Sequence, residues 1–126
     1  MNAVVDSSGW LEYFADGPNA HHFEKPILDV GRLLVPAVVV YEVYKRVALQ
    51  RGEEVALEAV AMLRQGKVVP LDDVVAIEAA RVSVAHNLPM ADSIMLATAQ
   101  LNEAILWTQD ADFVDVPGVR YFSKTR

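Results

Sequence analysis

The sequence predicts an α/β domain with a parallel sheet of about five short strands and helices on both faces. Two observations carry this. Short apolar runs at residues 3–5, 33–35, 68–69, 104–107 and 119–121 alternate with longer amphipathic stretches, the pattern of repeated βα units. Turn-forming residues, including Asp6-Ser7-Ser8, Asp16-Gly17-Pro18-Asn19, Pro36, Gly52 and Gly66, punctuate the chain. A length of 126 residues with 53% hydrophobic and 22% charged content suits one domain, 1–126, with a core of its own.

Residues 3–5 are too few and too β-prone for a helix and form the first strand, with Asp6 at its carboxyl end. Ser7 or Ser8 caps a helix running to about Phe14, which Asp16-Gly17-Pro18-Asn19 stops. Residues 20–30 are helical, with Pro26 marking a break or a fresh start. After the second strand, 33–35, Pro36 suits the first turn of a helix over roughly 37–50, closed by Gly52. Residues 53–65 form the next helix, with Val55, Val60 and Leu63 among its apolar positions and Gly66 as its stop. Val68-Val69 is the third strand. Asp72 or Asp73 opens a helix to about His86, and Pro89 opens another to about Asn102. Residues 104–107 form the fourth strand, 110–113 a turn or single helical turn, and 119–121 the fifth strand.

Composition narrows the function. No apolar run approaches ~18 residues without a charge, which argues against a membrane-spanning helix. Asn2 and Asp6 leave no basic region for a secretory signal, so the expected location is the cytoplasm. The lack of cysteine removes disulfides, thiolate catalysis and Cys-ligated zinc. A formal charge of -6 argues against broad attraction to nucleic acid, so a phosphate-binding surface must be local.

The acidic residues supply the candidates. Asp6 and Asp110 each follow a strand, at the sheet edge where open α/β folds bind ligands. Glu42 is the lone charge in Val38-Val39-Val40-Tyr41-Glu42-Val43-Tyr44, where an unpaired buried carboxylate is costly. A salt bridge to Lys45 or Arg46 is its structural alternative. Asp92 shares a helical face with Met95, Leu96 and Ala99, whereas Ser93, Gln100 and Glu103 lie on a more polar side. A dipole-favoured acid in a first helical turn would equally explain Asp92, and a turn role would explain Asp110. Carboxylates that converge raise one another's pKa unless a counter-charge joins them. With oxygen donors alone, that counter-charge is Mg²⁺ or Mn²⁺ rather than zinc, and such sites serve phosphodiester chemistry by activating water.

The set Val4-Val5-Asp6-Ser7-Ser8, Tyr41-Glu42, Pro89-Met90-Ala91-Asp92-Ser93 and Trp107-Thr108-Gln109-Asp110-Ala111-Asp112-Phe113 resembles the PIN-domain ribonucleases, specifically the VapC-type toxins of prokaryotic toxin–antitoxin pairs. The likeness runs from Val4 to Phe122. It implies a PIN-like three-layer fold, with Asp6, Glu42, Asp92 and Asp110 as catalytic, metal-binding acids and Ser7 and Thr108 as polar positions supporting them. Asp112 matches a position often acidic in the family, read here as a supporting residue or local cap. The resemblance further implies RNA cleavage by a metal-activated water with a 5′-phosphate product, a homodimer, and a cognate antitoxin. Such an antitoxin could place an arginine among the acids and rest on apolar side chains around Trp10, Phe14 and Tyr44.

Arg46, one helical turn beyond Glu42, is the candidate for contact with RNA phosphate, while Lys45, Arg51 and Arg81 read as solvated charges. His21-His22 lacks a third nearby ligand and reads as surface. His86 suits a helix C-terminus. Trp10, Leu11 and Phe14 read as core. Two other classes compete: a phosphoacceptor receiver domain, which requires an acceptor Asp directly after strand three, and a PIN fold kept only as a binding module.

Overall fold

The computed structural model describes residues 1–124, so the last two residues of the expected domain lie outside it. Five parallel strands, β1 (Ala3–Val5), β2 (Leu33–Pro36), β3 (Lys67–Val69), β4 (Ile105–Thr108) and β5 (Val119–Tyr121), stand in the order β3-β2-β1-β4-β5. Val4 pairs with Leu34 on one side and Leu106 on the other, so β1 is central. Its three residues are buried, as are the four of β2, which explains strands that are continuously apolar rather than alternating.

From β1 the chain moves outward through α1 (Ser7–Phe14) and α2 (Ala20–Leu28) to β2, then through α3 (Ala37–Arg51) and α4 (Glu53–Leu63) to β3. It returns through α5 (Asp73–His86) and α6 (Met90–Leu101) to β4, on the far side of β1. Right-handed crossovers put the first four helices on one face and the last two on the other. The winding therefore reverses between β1 and β4, and the crevice beyond their carboxyl ends is where such sheets bind ligands. Asp6 and Asp110 stand at that crevice.

Several boundaries differ from the expectation for identifiable reasons. The cap of α1 is Asp6 rather than Ser7 or Ser8: its carboxylate accepts the Gly9 N–H at 2.9 Å, freeing both serines for other work. Gly9 is required because an added Cβ would sit 2.7 Å from Phe23 and Val5, where α1 packs onto α2 and β1. Pro26 does not break α2, because it falls in the last turn of a nine-residue helix and its ring is buried. Gly52 ends α3 at φ 90°, a left-handed conformation that other residues rarely adopt.

In α6 every residue from Asp92 to Ala99 is buried, so Ser93 does not lie on a solvent-facing polar side, whereas Gln100 and Glu103 beyond it are exposed as expected. Ser93 and Thr98 satisfy their hydroxyls within the helix, donating to the carbonyls of Met90 and Ile94. The core contains Trp10, Phe23, Leu63 and Phe113, all fully enclosed. Among the described residues no helix is long and apolar enough to cross a membrane.

Candidate metal centre

Asp6 is held on both carboxylate oxygens. Oδ1 accepts from the Ser8 hydroxyl at 2.7 Å and from Gly9 N–H, and Oδ2 accepts from the Thr108 hydroxyl. Each hydroxyl in turn accepts a backbone N–H from the segment after β4: Ser8 from Gln109 at 3.3 Å, Thr108 from Asp110 at 2.9 Å. Two relays thus tie the carboxyl end of β1 to that of β4. They fix Asp6 relative to Asp110.

Asp110 begins a short 3₁₀ turn, Ala111–Phe113, and caps it by accepting the Asp112 N–H at 2.9 Å. Phe113 anchors the turn in the core. Asp92 reaches the same place from the first turn of α6, with its residue 9% exposed. One carboxylate oxygen each from Asp92, Asp110 and Asp112 lies within 4.8 Å of the others. Asp112, expected to support or cap, is one of this trio.

Glu42 projects from α3 and accepts from the Ser7 hydroxyl at 2.6 Å. It lines the same groove as Asp6, Asp92 and Asp110 but is outside the trio at 4.8 Å. The salt bridge to Lys45 or Arg46 is not formed: Lys45 lies over the Tyr41 ring, and the only salt bridge among the described residues is Arg81–Glu78. Ser7 therefore serves Glu42, and Thr108 serves Asp6.

Burial, with neighbouring carboxylates, raises two of the acids. Burial pushes the Asp6 carboxyl up from 3.8 to about 6, against the opposing pull of its hydrogen bonds from Thr108, Ser8 and Gly9 and with a smaller push from Asp110. Burial pushes Asp92 up to about 8, aided by the Asp110 charge, a hydrogen bond to Asp112, and the Asp112 and Asp6 charges. An all-carboxylate donor set without His or Cys fits a hard divalent cation such as Mg²⁺ or Mn²⁺.

The acids sit in an open groove of about 900 Å³ that also receives Lys45, Arg46, Arg51 and Lys124. Arg46 is exposed on its wall. The groove is braced by a polar network that reading the sequence did not reveal. The buried Gln109 amide donates to Ser8 O and Glu12 Oε1 at 3.4 and 3.3 Å, and accepts from Asn19 at 3.0 Å. Glu12 also accepts the Asn19 N–H at 2.7 Å. The available signal was a glutamine wedged between the strand-end Thr108 and Asp110. Elsewhere, His21 is exposed, and His22 is half-buried against the Phe122 ring at 4.2 Å, outside the site as expected. His86 is the exposed last residue of α5.

Comparison with known proteins bears on this arrangement. The family model described as PIN domain matches residues 3–119. No curated protein sequence matches the chain. Among solved structures, the chain is similar to a toxin–antitoxin complex from Klebsiella pneumoniae, at 22% identity and TM-score 0.78, covering 94% of this chain and 95% of that one. It is also similar to the sarcin–ricin loop cleaving toxin VapC20 of Mycobacterium tuberculosis, at 16% identity and TM-score 0.77 over 94% and 98% of the two chains. A third is the DNA-bound VapBC of Salmonella typhimurium, at 17% identity and TM-score 0.75 over 98% of each. At these identities the likeness is one of fold.

Proposed function

The chain belongs to the PIN-domain family, and from that premise we propose that it is a Mg²⁺- or Mn²⁺-dependent endoribonuclease acting as the toxin of a toxin–antitoxin pair, working as a single domain over 1–126. The observation that carries this is the convergence of Asp92, Asp110 and Asp112 within 4.8 Å, beside Asp6, with no salt bridge to them among the described residues. The solved neighbours supply the substrate and partner classes by analogy, since they include a sarcin–ricin loop cleaving toxin and a toxin–antitoxin complex.

Asp92, Asp110 and Asp112, with Asp6 and Glu42 beside them in the groove, would hold the cation. Bound there, it supplies the positive charge that activates water and offsets the charge developing on a phosphodiester. The chain's own residues do the positioning. The Ser8 and Thr108 relays hold Asp6, the 3₁₀ turn holds Asp110 and Asp112, and Ser7 orients Glu42 across the groove. Lys45, Arg46, Arg51 and Lys124 offer the RNA backbone a locally basic wall in a protein of net charge -6. Water rather than the ribose 2′-OH is the nucleophile in this scheme. The test is cleavage of RNA by the purified protein: 5′-phosphate ends support it, and 2′,3′-cyclic phosphate ends or cleavage in excess chelator would refute it.

A receiver domain is not favoured. β3 is followed by Pro70 and Leu71, and Asp72 caps α5 by accepting the Val75 N–H at 2.9 Å. A silent binding module would not need four acids held at this crevice.

Glu42 separates a structural role from a metal-holding one. We expect Glu42→Gln to lower turnover by orders of magnitude with a melting temperature unchanged or raised. A normal turnover in a destabilised protein would make Glu42 a mere acceptor for Ser7.

The inhibitory partner should act by setting an arginine among the acids, where it can be held bidentately. The apolar footing cannot include Trp10, which is fully enclosed because its ring packs inward on Phe14. Phe14 and Tyr44 are half-buried and remain available, beside the exposed Tyr41 and Leu49. Raising Mg²⁺ should weaken the complex in calorimetry, and replacing that arginine by alanine should restore cleavage more than it reduces binding. Affinity indifferent to metal, with an arginine-free partner still silencing the enzyme, would mean simple steric blocking.

A further inference from the structure

Four aromatic rings and a guanidinium follow one another in a single run, and the metal centre uses none of them. Arg120 lies over the Trp107 ring, 4.6 Å from its centroid. Trp107 is followed by Phe122 at 6.0 Å, Phe122 by His22 at 4.2 Å, and His22 by His21 at 4.0 Å. The His22 and Phe122 planes lie within 11° of parallel. Phe122 is itself held: the fully enclosed Phe23 meets it edge-on at 5.6 Å, and its N–H donates to the Thr108 carbonyl at 2.9 Å. The run is thus capped by Arg120 at one end and rooted in the core, while at the other end His22 is half-buried and His21 is exposed. That open end lies beside the groove. Asn19, two residues before His21, donates through Nδ2 to Gln109 Oε1 and to the Ser123 carbonyl, both at 3.0 Å. Gln109, Asp110 and Lys124 all line the groove, and Lys124 follows Phe122 by two residues.

We propose that His21 and His22 form a stacking platform for one unpaired base of the RNA substrate, just outside the metal centre. The inference deepens the ribonuclease reading and rests on it. Bases of single-stranded RNA present flat π faces that stack on aromatic side chains, histidine included, whereas bases within a duplex are already stacked on their neighbours. The surrounding charge favours a base over a phosphate. Along the chain the pair is flanked by Asp16, Glu24 and Lys25, two acids against one lysine, so an anion gains nothing there and a neutral ring loses nothing. Lys124, on the segment that leads from Phe122 into the groove, meets the adjoining phosphate instead. Because Phe122 already fixes the plane of His22, little side-chain freedom is lost when a base arrives. Every base has such a face, so the platform selects an unpaired nucleotide rather than one particular base.

The test uses short single-stranded RNAs, each carrying one 2-aminopurine at a different position, mixed with Mg²⁺-loaded full-length protein in a stopped flow. Stacking quenches 2-aminopurine, so wild-type protein should quench one position strongly ahead of cleavage. His21→Ala, at an exposed position, should remove that quenching and weaken RNA association by about tenfold, the loss of one stacked base, with melting temperature as the folding control. His21→Tyr should restore both readouts and His21→Leu neither. Wild-type protein that neither binds nor cleaves RNA would overturn the ribonuclease reading and the platform with it. Cleavage whose quenching is indifferent to His21→Ala would keep the ribonuclease and overturn the platform alone. Recovery by His21→Leu would mean apolar contact rather than stacking. A loss of antitoxin binding in place of RNA binding would make this a protein contact, and either result would also overturn the platform.

Discussion

Asp92→Asn should reduce RNA cleavage by roughly three orders of magnitude or more, because it removes one donor from a cation site whose charge stabilisation is worth several kcal/mol. The same change should raise the stability of the metal-free protein. Asp92 is nearly enclosed and faces Asp110, Asp112 and Asp6, and its carboxyl is pushed up to about 8, so at neutral pH its ionisation is resisted by the fold. An amide of the same shape carries no such penalty and can still donate to Asp112. The diagnostic is the opposite movement of two readouts, activity down and metal-free melting temperature up. Asp6→Asn should also lose cleavage, though it weakens the acceptor of Gly9, Ser8 and Thr108 and so gains less stability. Cleavage retained by Asp92→Asn would remove this residue from the mechanism.

Metal-free protein should become less stable as pH rises from about 4 to about 9. Below about pH 4 the carboxyls of Asp6 and Asp92 are protonated in the folded and unfolded chain alike. The unfolded chain then ionises first, near 3.8, while the folded protein keeps the proton to about 6 at Asp6 and about 8 at Asp92. Folded stability contributed by the neutral carboxyls is therefore lost as pH climbs through those values. For Asp6 alone, the rise from 3.8 to about 6 corresponds to roughly 3 kcal/mol, a melting shift on the order of 10 °C in a domain of this size. Saturating Mg²⁺ or Mn²⁺ should flatten or reverse the slope. Asp92→Asn should abolish the part between about pH 6 and 8 and make the part between about pH 4 and 6 shallower, leaving there only the contribution of Asp6. A metal-free melting temperature that climbs steadily to pH 8 would contradict the electrostatics of the site.

Strand positions and strand-end acids were legible because they are local. Three-residue apolar runs ended by Asp6 or by Thr108-Gln109-Asp110 leave little choice of conformation, and the βα alternation fixes a parallel sheet. Asp6, Asp92 and Asp110 could be singled out from their apolar surroundings. Their mutual approach could not, because it depends on the reversal of winding between β1 and β4. Side-chain roles that cross the sheet were equally hidden. The sequence cannot say that Ser7 turns to Glu42 while Ser8 turns to Asp6, nor that Gln109 ties together Ser8, Glu12 and Asn19. Periodicity misplaced Ser93 for a related reason: α6 is enclosed on all sides by the sheet and by α5, so it has no solvent face over Asp92 to Ala99 for a pattern to mark. The nearness of Asp112 to Asp92 and Asp110 was not legible, because an acid in a turn after a strand has a sufficient local explanation as a cap.

The central claim is that these carboxylates form a divalent-cation site, and titration calorimetry of Mn²⁺ into the metal-free protein tests it most directly. With Asp92 held protonated to about pH 8, binding at pH 7 should displace a proton, so the observed heat should depend on the ionisation enthalpy of the buffer. That dependence should vanish near pH 9, Mg²⁺ should compete, and Asp92→Asn should bind weakly with no proton released. An absence of binding, or binding at pH 7 that neither releases protons nor changes in Asp92→Asn, would contradict the account.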